Sequence, residues 1–237
     1  MDIDLRIKVK RKISKKDKTV YKKRRNMKYL KGRTYNDFTA YADENPELSI
    51  VGMDTVHNNS TTEPFMQTFK FLSYSFMFII YHEENTPQAM VAGIDLLEKI
   101  IGKKLFAKEV AILKTDRGSE FENAEAIEKE ENGTRRTRIF YCDPMASGQK
   151  GSLENNHKEI RYICPKGTDL RELGLNDQTK ANLIILHINS QSKEILKGKS
   201  PLEMMEFMNM ELYQRFIDYG IEKIAKDKIV LKLYLLK

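Results

Sequence analysis

Residues 48–56 read LSIVGMDTV. The run is β-branched and apolar enough to form a buried strand, yet it holds an aspartate, a residue depleted in strands. Asp54 follows apolar residues and has a valine two positions on, so its burial needs compensation, which a metal ion would supply. Upstream, TYNDFTAYADENP (34–46) reads as a short helix stopped at Pro46, because the residue before a proline avoids the helical region. Downstream, PFMQTFKFL and YSFMFIIYH are two further strands rich in Phe, Tyr and Ile; a tight join near Ser73 predicts an antiparallel hairpin. From Thr86 as N-cap with proline at the next position, TPQAMVAGIDLLEKIIGKKLF (86–106) predicts one helix with Met90, Ile94, Leu97 and Ile101 on a single face. VAILKTD (110–116) returns to strand, a charged helical stretch follows at 123–131, and RIFYCDP (138–144) is a fifth strand ended by Pro144. Helices are predicted at 152–163, 177–190, 200–209 and 211–219, with Ser200-Pro201 repeating the cap of Thr86-Pro87.

Three strands, then helix, strand, helix, strand, helix is a mixed α/β order. A crossover helix between the third and fourth strands predicts a partly parallel sheet. The expected fold is α/β, a ribonuclease H-like mixed five-stranded sheet flanked by helices, with a basic N-terminal arm and C-terminal helices. The expected division is 1–46 for the arm and a short linker helix, 47–210 for the catalytic core, and 211–237 for a C-terminal extension.

Composition narrows the class of partner. The chain has 237 residues, 41% hydrophobic and 32% charged, with mean hydropathy −0.55, which fits a soluble globular protein. Its longest apolar run, FKFLSYSFMFIIY (69–81), is too short to cross a bilayer, and no charged-then-apolar signal segment opens it. Cys142 and Cys164 stand apart without a Cys-x-x-Cys pair, so neither a disulfide framework nor a zinc finger is expected. A reducing, cytoplasmic setting associated with the nucleoid follows.

The net charge of +7 hides an asymmetry. Between Arg6 and Arg33 there are 15 Lys/Arg and one acid, Asp17, leaving 26 bases against 33 acids elsewhere. Such density of like charge without an apolar stripe favours an extended segment that orders against a polyanion, and nucleic acid is the expected partner. Lys22, Lys23, Arg24 and Arg25 are its densest part. A solvated basic tail without a specific partner is the plainer alternative.

The remaining carboxylates fall into place around Asp54. Asp116 ends the strand VAILKTD just ahead of RGSEF, at the carboxyl edge where α/β sheets place ligands. If the first and fourth strands are neighbours, about 4.8 Å apart, the two aspartates reach a shared cation. Glu154 follows a Gly-Ser pair at a helix start, among Asn, His, Lys and Arg rather than apolar residues, and would add a third ligand from a helix laid against the sheet. Oxygen ligands of this kind select Mg²⁺, or Mn²⁺ in its place. Two such ions about 3.5–4 Å apart can serve both oxygens of a phosphodiester displacement. Singly, each acid has an ordinary reading: Asp116 could cap a turn, and Glu154 could pair with Lys158 on an exposed helix.

The segments VGMDTVH, LKTDRGSEF, FYCDP, KGSLENNHKEIR with PKGTDL, and INSQSKEILKGKSPLEMME together resemble the catalytic region of DDE transposases of the insertion-sequence-thirty family, which carry an integrase-type core. The matches run from about Lys31 to the C-terminus. Between Asp54 and Asp116 lie 61 residues, and between Asp116 and Glu154 lie 37, the long-then-short pattern of such enzymes. The resemblance implies that Asp54, Asp116 and Glu154 are a metal-binding triad for DNA strand cleavage and strand transfer, acting as a homo-oligomer assembled on transposon ends and target. It implies that Arg161, seven residues after Glu154, approaches a DNA phosphate; a surface salt bridge with Glu159 or Asp169 is the alternative. Lys158 and Lys166 would add phosphate contacts. Asn155 and Asn156 could orient the glutamate or a phosphate, and His157 and His57 are either donors behind the acids or solvent-exposed. Two departures stand out. Gly148 occupies a place where members often carry tryptophan, and the helix-turn-helix region that reads element ends in full-length members has no counterpart before the arm. The expectation is therefore a catalytic fragment, or the product of a truncated reading frame, with metal-dependent chemistry and weak selectivity for element ends. Two alternatives of other classes stay open: a non-catalytic DNA-binding remnant that inhibits full-length transposase, and a ribonuclease H-type nuclease acting on RNA–DNA hybrids.

Overall fold

A computed structural model describes residues 27–58 and 64–237, with the side chains of residues 147 and 150–156 outside the description. The arm residues Lys22, Lys23, Arg24 and Arg25 therefore lie outside the described residues.

Local chemistry starts most of the helices where the sequence predicts. α1 (Tyr35–Glu44) opens on a capping box in which the Thr34 hydroxyl accepts from the Asp37 N–H and the Asp37 carboxylate accepts from the Thr34 N–H. β1 (Ile50–Val56), β2 (Phe65–Phe71) and β3 (Phe76–His82) follow, with β2 and β3 joined by a 3-10 turn at Leu72–Tyr74 and by Ser75 at φ 53°. α2 (Pro87–Ile101) starts from the Thr86 cap and buries Met90, Ile94, Leu97 and Ile101. The single helix expected to reach Phe106 is instead two, because Gly102, at φ 85°, ends α2 and opens α3 (Lys103–Glu109). A positive φ of that kind suits glycine, and periodicity alone does not reveal it.

β4 (Ile112–Thr115), the five-residue α4 (Ala124–Glu128) and β5 (Arg138–Tyr141) complete the sheet. Then come α5 (Gly151–Ile163), α6 (Gln178–Ser190), α7 (Pro201–Met208) and α8 (Met210–Asp218). A second capping box, between Ser200 and Glu203, opens α7.

The strand order is β3-β2-β1-β4-β5. β1 pairs antiparallel with β2 and parallel with β4, and β4 pairs parallel with β5. This is the ribonuclease H-like sheet that the element order predicts, with α2 and α3 as the crossover between β3 and β4.

Alternation along β1 and β2 divides the molecule into layers. One sheet face is closed by α2 and α8: Gln67 of β2 bonds the Met90 carbonyl of α2, and Phe71, Phe76 and Phe78 surround Phe216 of α8 at centroid distances of 5.9, 4.7 and 5.3 Å. A Cβ at Gly93 of α2 would lie 1.8 Å from Gln67 Oε1, so the glycine leaves room for the Gln67 carboxamide against the helix. The opposite face carries Ile50 under α1 and Thr68 under His157 of α5. Every residue of β2 is buried, as a strand between two helical layers requires.

The segment after residue 210 is tied to this body. Leu212, Phe216, Ile221 and Leu236 share the main hydrophobic core, Lys180 Nζ donates to the Leu236 carbonyl at 2.7 Å, and the Val230 N–H donates to His187 Nδ1 at 3.0 Å.

Candidate metal centre at the carboxyl ends of β1 and β4

The parallel register sets the site. Gly52 of β1 lies beside Lys114 of β4, so Asp54 and Asp116, each two residues further along strands running the same way, sit level with one another. Alternation puts both on the face of Ile50 and Ile112, the face that α5 covers. Each aspartate gives one oxygen to a backbone donor. Asp54 Oδ1 accepts from the Thr55 N–H at 2.9 Å, and Asp116 Oδ1 accepts from the Gly118 N–H at 2.8 Å. Such bonds fix the rotation of each carboxylate.

A second set of contacts ties Asp54 to its neighbours. Thr68 Oγ1 donates to the Asp54 carbonyl at 3.1 Å and lies 3.1 Å from His157 Nε2. With its only proton given to that carbonyl, the hydroxyl accepts from the ring, so Nε2 carries the hydrogen. His157 Nδ1 then faces Asp54 Oδ2 at 3.9 Å. The Asp54 side chain is 17% exposed; it is neither sealed in the core nor open at the surface.

Glu154 lies on α5 one turn before His157, so the helix brings its backbone toward the two aspartates. Its side chain, with those of Asn155 and Asn156, lies outside the described residues. Among the described residues no group of three His, Cys, Asp or Glu side chains is placed to hold a metal.

Arg161 is turned to the loop that leaves β1. Its guanidinium donates to Asn58 Oδ1 and, at 3.1 Å, to the His57 carbonyl, while Asn58 Nδ2 donates to the Pro165 and Thr168 carbonyls at 2.9 and 2.6 Å. Arg161 and Asn58 thus knit the exit of β1 to the segment after α5. Glu159 is engaged by Lys193, whose Nζ is 2.6 Å from both carboxylate oxygens. Lys158 and Lys166 are exposed.

Two acids near the centre are not singled out by the sequence pattern. Glu120 Oε1 accepts from Thr55 Oγ1 at 3.1 Å and its carboxyl fills the space where a Cβ on Gly118 would stand, 2.6 Å away. Asp143 meets Arg117, with Nη2 2.6 Å from Oδ1. The signal that could have found them is position: Glu120 in DRGSEF and Asp143 in FYCDP each follow closely on the carboxyl end of a parallel strand, the edge on which Asp54 and Asp116 stand.

On the same face as Thr68, and two residues further along β2, Lys70 is 2% exposed. It donates to the Ser75 carbonyl and, at 2.8 Å, to Ser75 Oγ. Burial, with some help from the Lys193 charge and against that of Glu159, pushes its pKa down to about 7.

No protein-family model matches the chain. It is 32% identical over 68 residues to the transposase for insertion sequence element IS1086 of Cupriavidus metallidurans, covering 29% of this chain and 19% of that protein. It is 32% identical over 69 residues to the transposase InsI for insertion sequence element IS30A of Escherichia coli, covering 29% and 17%. The match thus spans under a fifth of the length of these curated relatives. Within it, the resemblance to insertion-sequence-thirty transposases is borne out. Among solved structures, the catalytic core domain of BIV integrase aligns with TM-score 0.47 at 17% identity, over 72% of this chain and 97% of that one. The HTLV-2 integrase catalytic core domain in complex with magnesium aligns with TM-score 0.46 at 14% identity, over 65% and 94%. Among the described residues no helix is long and apolar enough to cross a membrane.

Proposed function

We propose that the chain is the catalytic region of a DNA transposase, in which Asp54, Asp116 and Glu154 hold divalent cations for DNA strand cleavage and strand transfer. The observation that carries this reading is the level placement of two aspartates at the ends of neighbouring parallel strands, under a helix that begins beside Glu154, in a chain locally similar to transposases. The donor set is made of carboxylate oxygens, which suits Mg²⁺ or Mn²⁺. Two such ions, when bound, supply activation of an attacking oxygen and stabilisation of the leaving one.

The chain's own residues do the rest. Thr55 and Gly118 fix the aspartates through their N–H groups, and Thr68 holds the backbone of Asp54 by donating to its carbonyl. Lys158 and Lys166 lie exposed where a DNA phosphate would pass, and Arg161 holds the β1 exit loop over which the strand would run. Asn155 and the arm residues Lys22, Lys23, Arg24 and Arg25 complete the proposed DNA contacts, and a homo-oligomer assembled on DNA, within the nucleoid, follows from the same reading. The triad lies wholly within residues 47–210, which we take as the catalytic unit.

The test is incubation of the full chain with supercoiled DNA and Mg²⁺ or Mn²⁺, set beside Asp116→Ala. Metal-dependent nicking by the parent and a loss of about 10³-fold or more in the variant are expected, since removal of a catalytic ligand costs about 4 kcal/mol or more of transition-state stabilisation. Equal nicking by both would sink the enzymatic reading and leave only DNA binding.

A further inference from the structure

We propose that Arg117 is a positioning residue: through Asp143 and Gln149 it holds the lead-in to α5 against the turn that carries Asp116, and so sets how Glu154 meets the two aspartates. The inference rests on the metal-site reading above.

Arg117 directly follows Asp116, and its Nη2 lies 2.6 Å from Asp143 Oδ1. Asp143 stands near the start of the segment between β5 and α5, and Gln149 near its end. The Asp143 N–H donates to Gln149 Oε1 at 2.7 Å, Gln149 Nε2 donates to Asp143 Oδ2 at 3.1 Å, and the Gln149 N–H donates to the Ala146 carbonyl at 3.0 Å. One carboxylate therefore receives the guanidinium on one oxygen and the carboxamide on the other. The segment is closed on itself and tied to the Asp116 turn by the same group.

α5 begins two residues after Gln149, and Glu154 is its fourth residue. The far end of α5 is anchored by Ile160, Ile163 and Cys164, all fully buried. A helix pinned at one end pivots there, so the position of its first turn depends on what holds the other end. Arg117 and Asp143 supply that hold from the element that also carries a proposed ligand.

Removing the tether should leave the fold intact. The side chains are 22% and 47% exposed, and an ion pair so wet contributes little to global stability. A misplacement of a ligand by about 1 Å, however, can lower a rate by about 10²-fold. Direct contact between Arg117 and a DNA phosphate is the competing role. That contact would be lost in Arg117→Ala but not in Asp143→Ala, and would appear in KM and in the salt dependence of binding.

The experiment compares Arg117→Ala, Asp143→Ala and the charge-exchanged pair Arg117→Asp with Asp143→Arg in the full chain. It measures kcat and KM for Mg²⁺-dependent strand cleavage, thermal unfolding, and backbone hydrogen exchange over residues 144–156 without DNA. Each single variant should lower kcat about 10- to 100-fold with KM nearly unchanged, keep Tm within about 2 °C, and speed exchange over that segment. The exchanged pair should recover most of both effects. Unchanged kcat in Asp143→Ala, or unchanged exchange in Arg117→Ala, would overturn the proposal. If the parent itself does not cleave DNA, the metal-site reading fails by itself, and the exchange measurement still decides the tether.

Discussion

The two faces of the sheet are built from the same strands and do opposite things. On the α2 and α8 side, Met53, Phe69, Phe71, Phe76 and Phe78 pack with almost no exposed surface, and the polar side chain of Gln67 among them is answered by the Met90 carbonyl and His82 Nε2. On the α5 side the next residues along the same strands are Asp54, Thr68 and Lys70, held by named hydrogen bonds rather than by packing. On the proposed reading, stability and chemistry are separated by a single residue step, since alternate side chains point to opposite faces. Substitutions on the first face should move the unfolding transition. Those on the second should move the rate.

The hardest test of that division is Phe216→Ala. Phe216 is fully buried against three phenylalanines from two strands, and emptying such a site costs about 3–5 kcal/mol. Chemical denaturation should show that loss, while the remaining folded protein keeps its metal requirement. A changed metal requirement at small stability cost would mean that the two faces are coupled.

Much of this architecture is legible in the sequence because its signals are local. Thr34 with Asp37, Thr86 with Pro87, and Ser200 with Pro201 and Glu203 announce helix starts within four residues, and the strands show as short apolar runs. Asp54 and Asp116 could be paired because the crossover helix implied parallel neighbours. The break at Gly102 escapes the pattern because a glycine inside an amphipathic stretch does not declare its φ. Glu120 escapes it for a different reason: its partner Thr55 is 65 positions away, and Arg117 meets Asp143 26 positions on. Contacts of that range are products of the fold, and no spacing rule reports them.

Lys70 sharpens the comparison by pH. A lysine whose folded pKa lies near 7, below the ordinary value of 10.5, binds more protons in the unfolded chain than in the folded one between those values. Stability therefore rises with pH from about 7 to about 10.5, and the full penalty of the buried charge is felt below 7. Its share is several kcal/mol across that window, since each pKa unit is worth about 1.4 kcal/mol. Lys70→Met should flatten this part of the stability profile and raise stability near neutral pH. A profile unchanged in the variant would show that Lys70 keeps its proton in the fold, its charge satisfied by Ser75 and the Glu159–Lys193 pair.

The finest separation is expected at Thr68→Val, which keeps the shape of the side chain and deletes the hydroxyl. The Asp54 carbonyl then loses a donor and His157 Nε2 loses its acceptor. The methyl that replaces the oxygen still fills the space, so stability should fall by only about 1 kcal/mol. The ring of His157, without that anchor at Nε2, can rotate away from Asp54, and strand cleavage should fall about tenfold with DNA affinity unchanged, a loss of about 1.4 kcal/mol in transition-state stabilisation. A rate that simply tracks the fraction folded would show that Thr68 serves packing alone. A rate that falls while the unfolding midpoint barely moves would place the boundary between structure and chemistry inside β2, between Gln67 and Thr68.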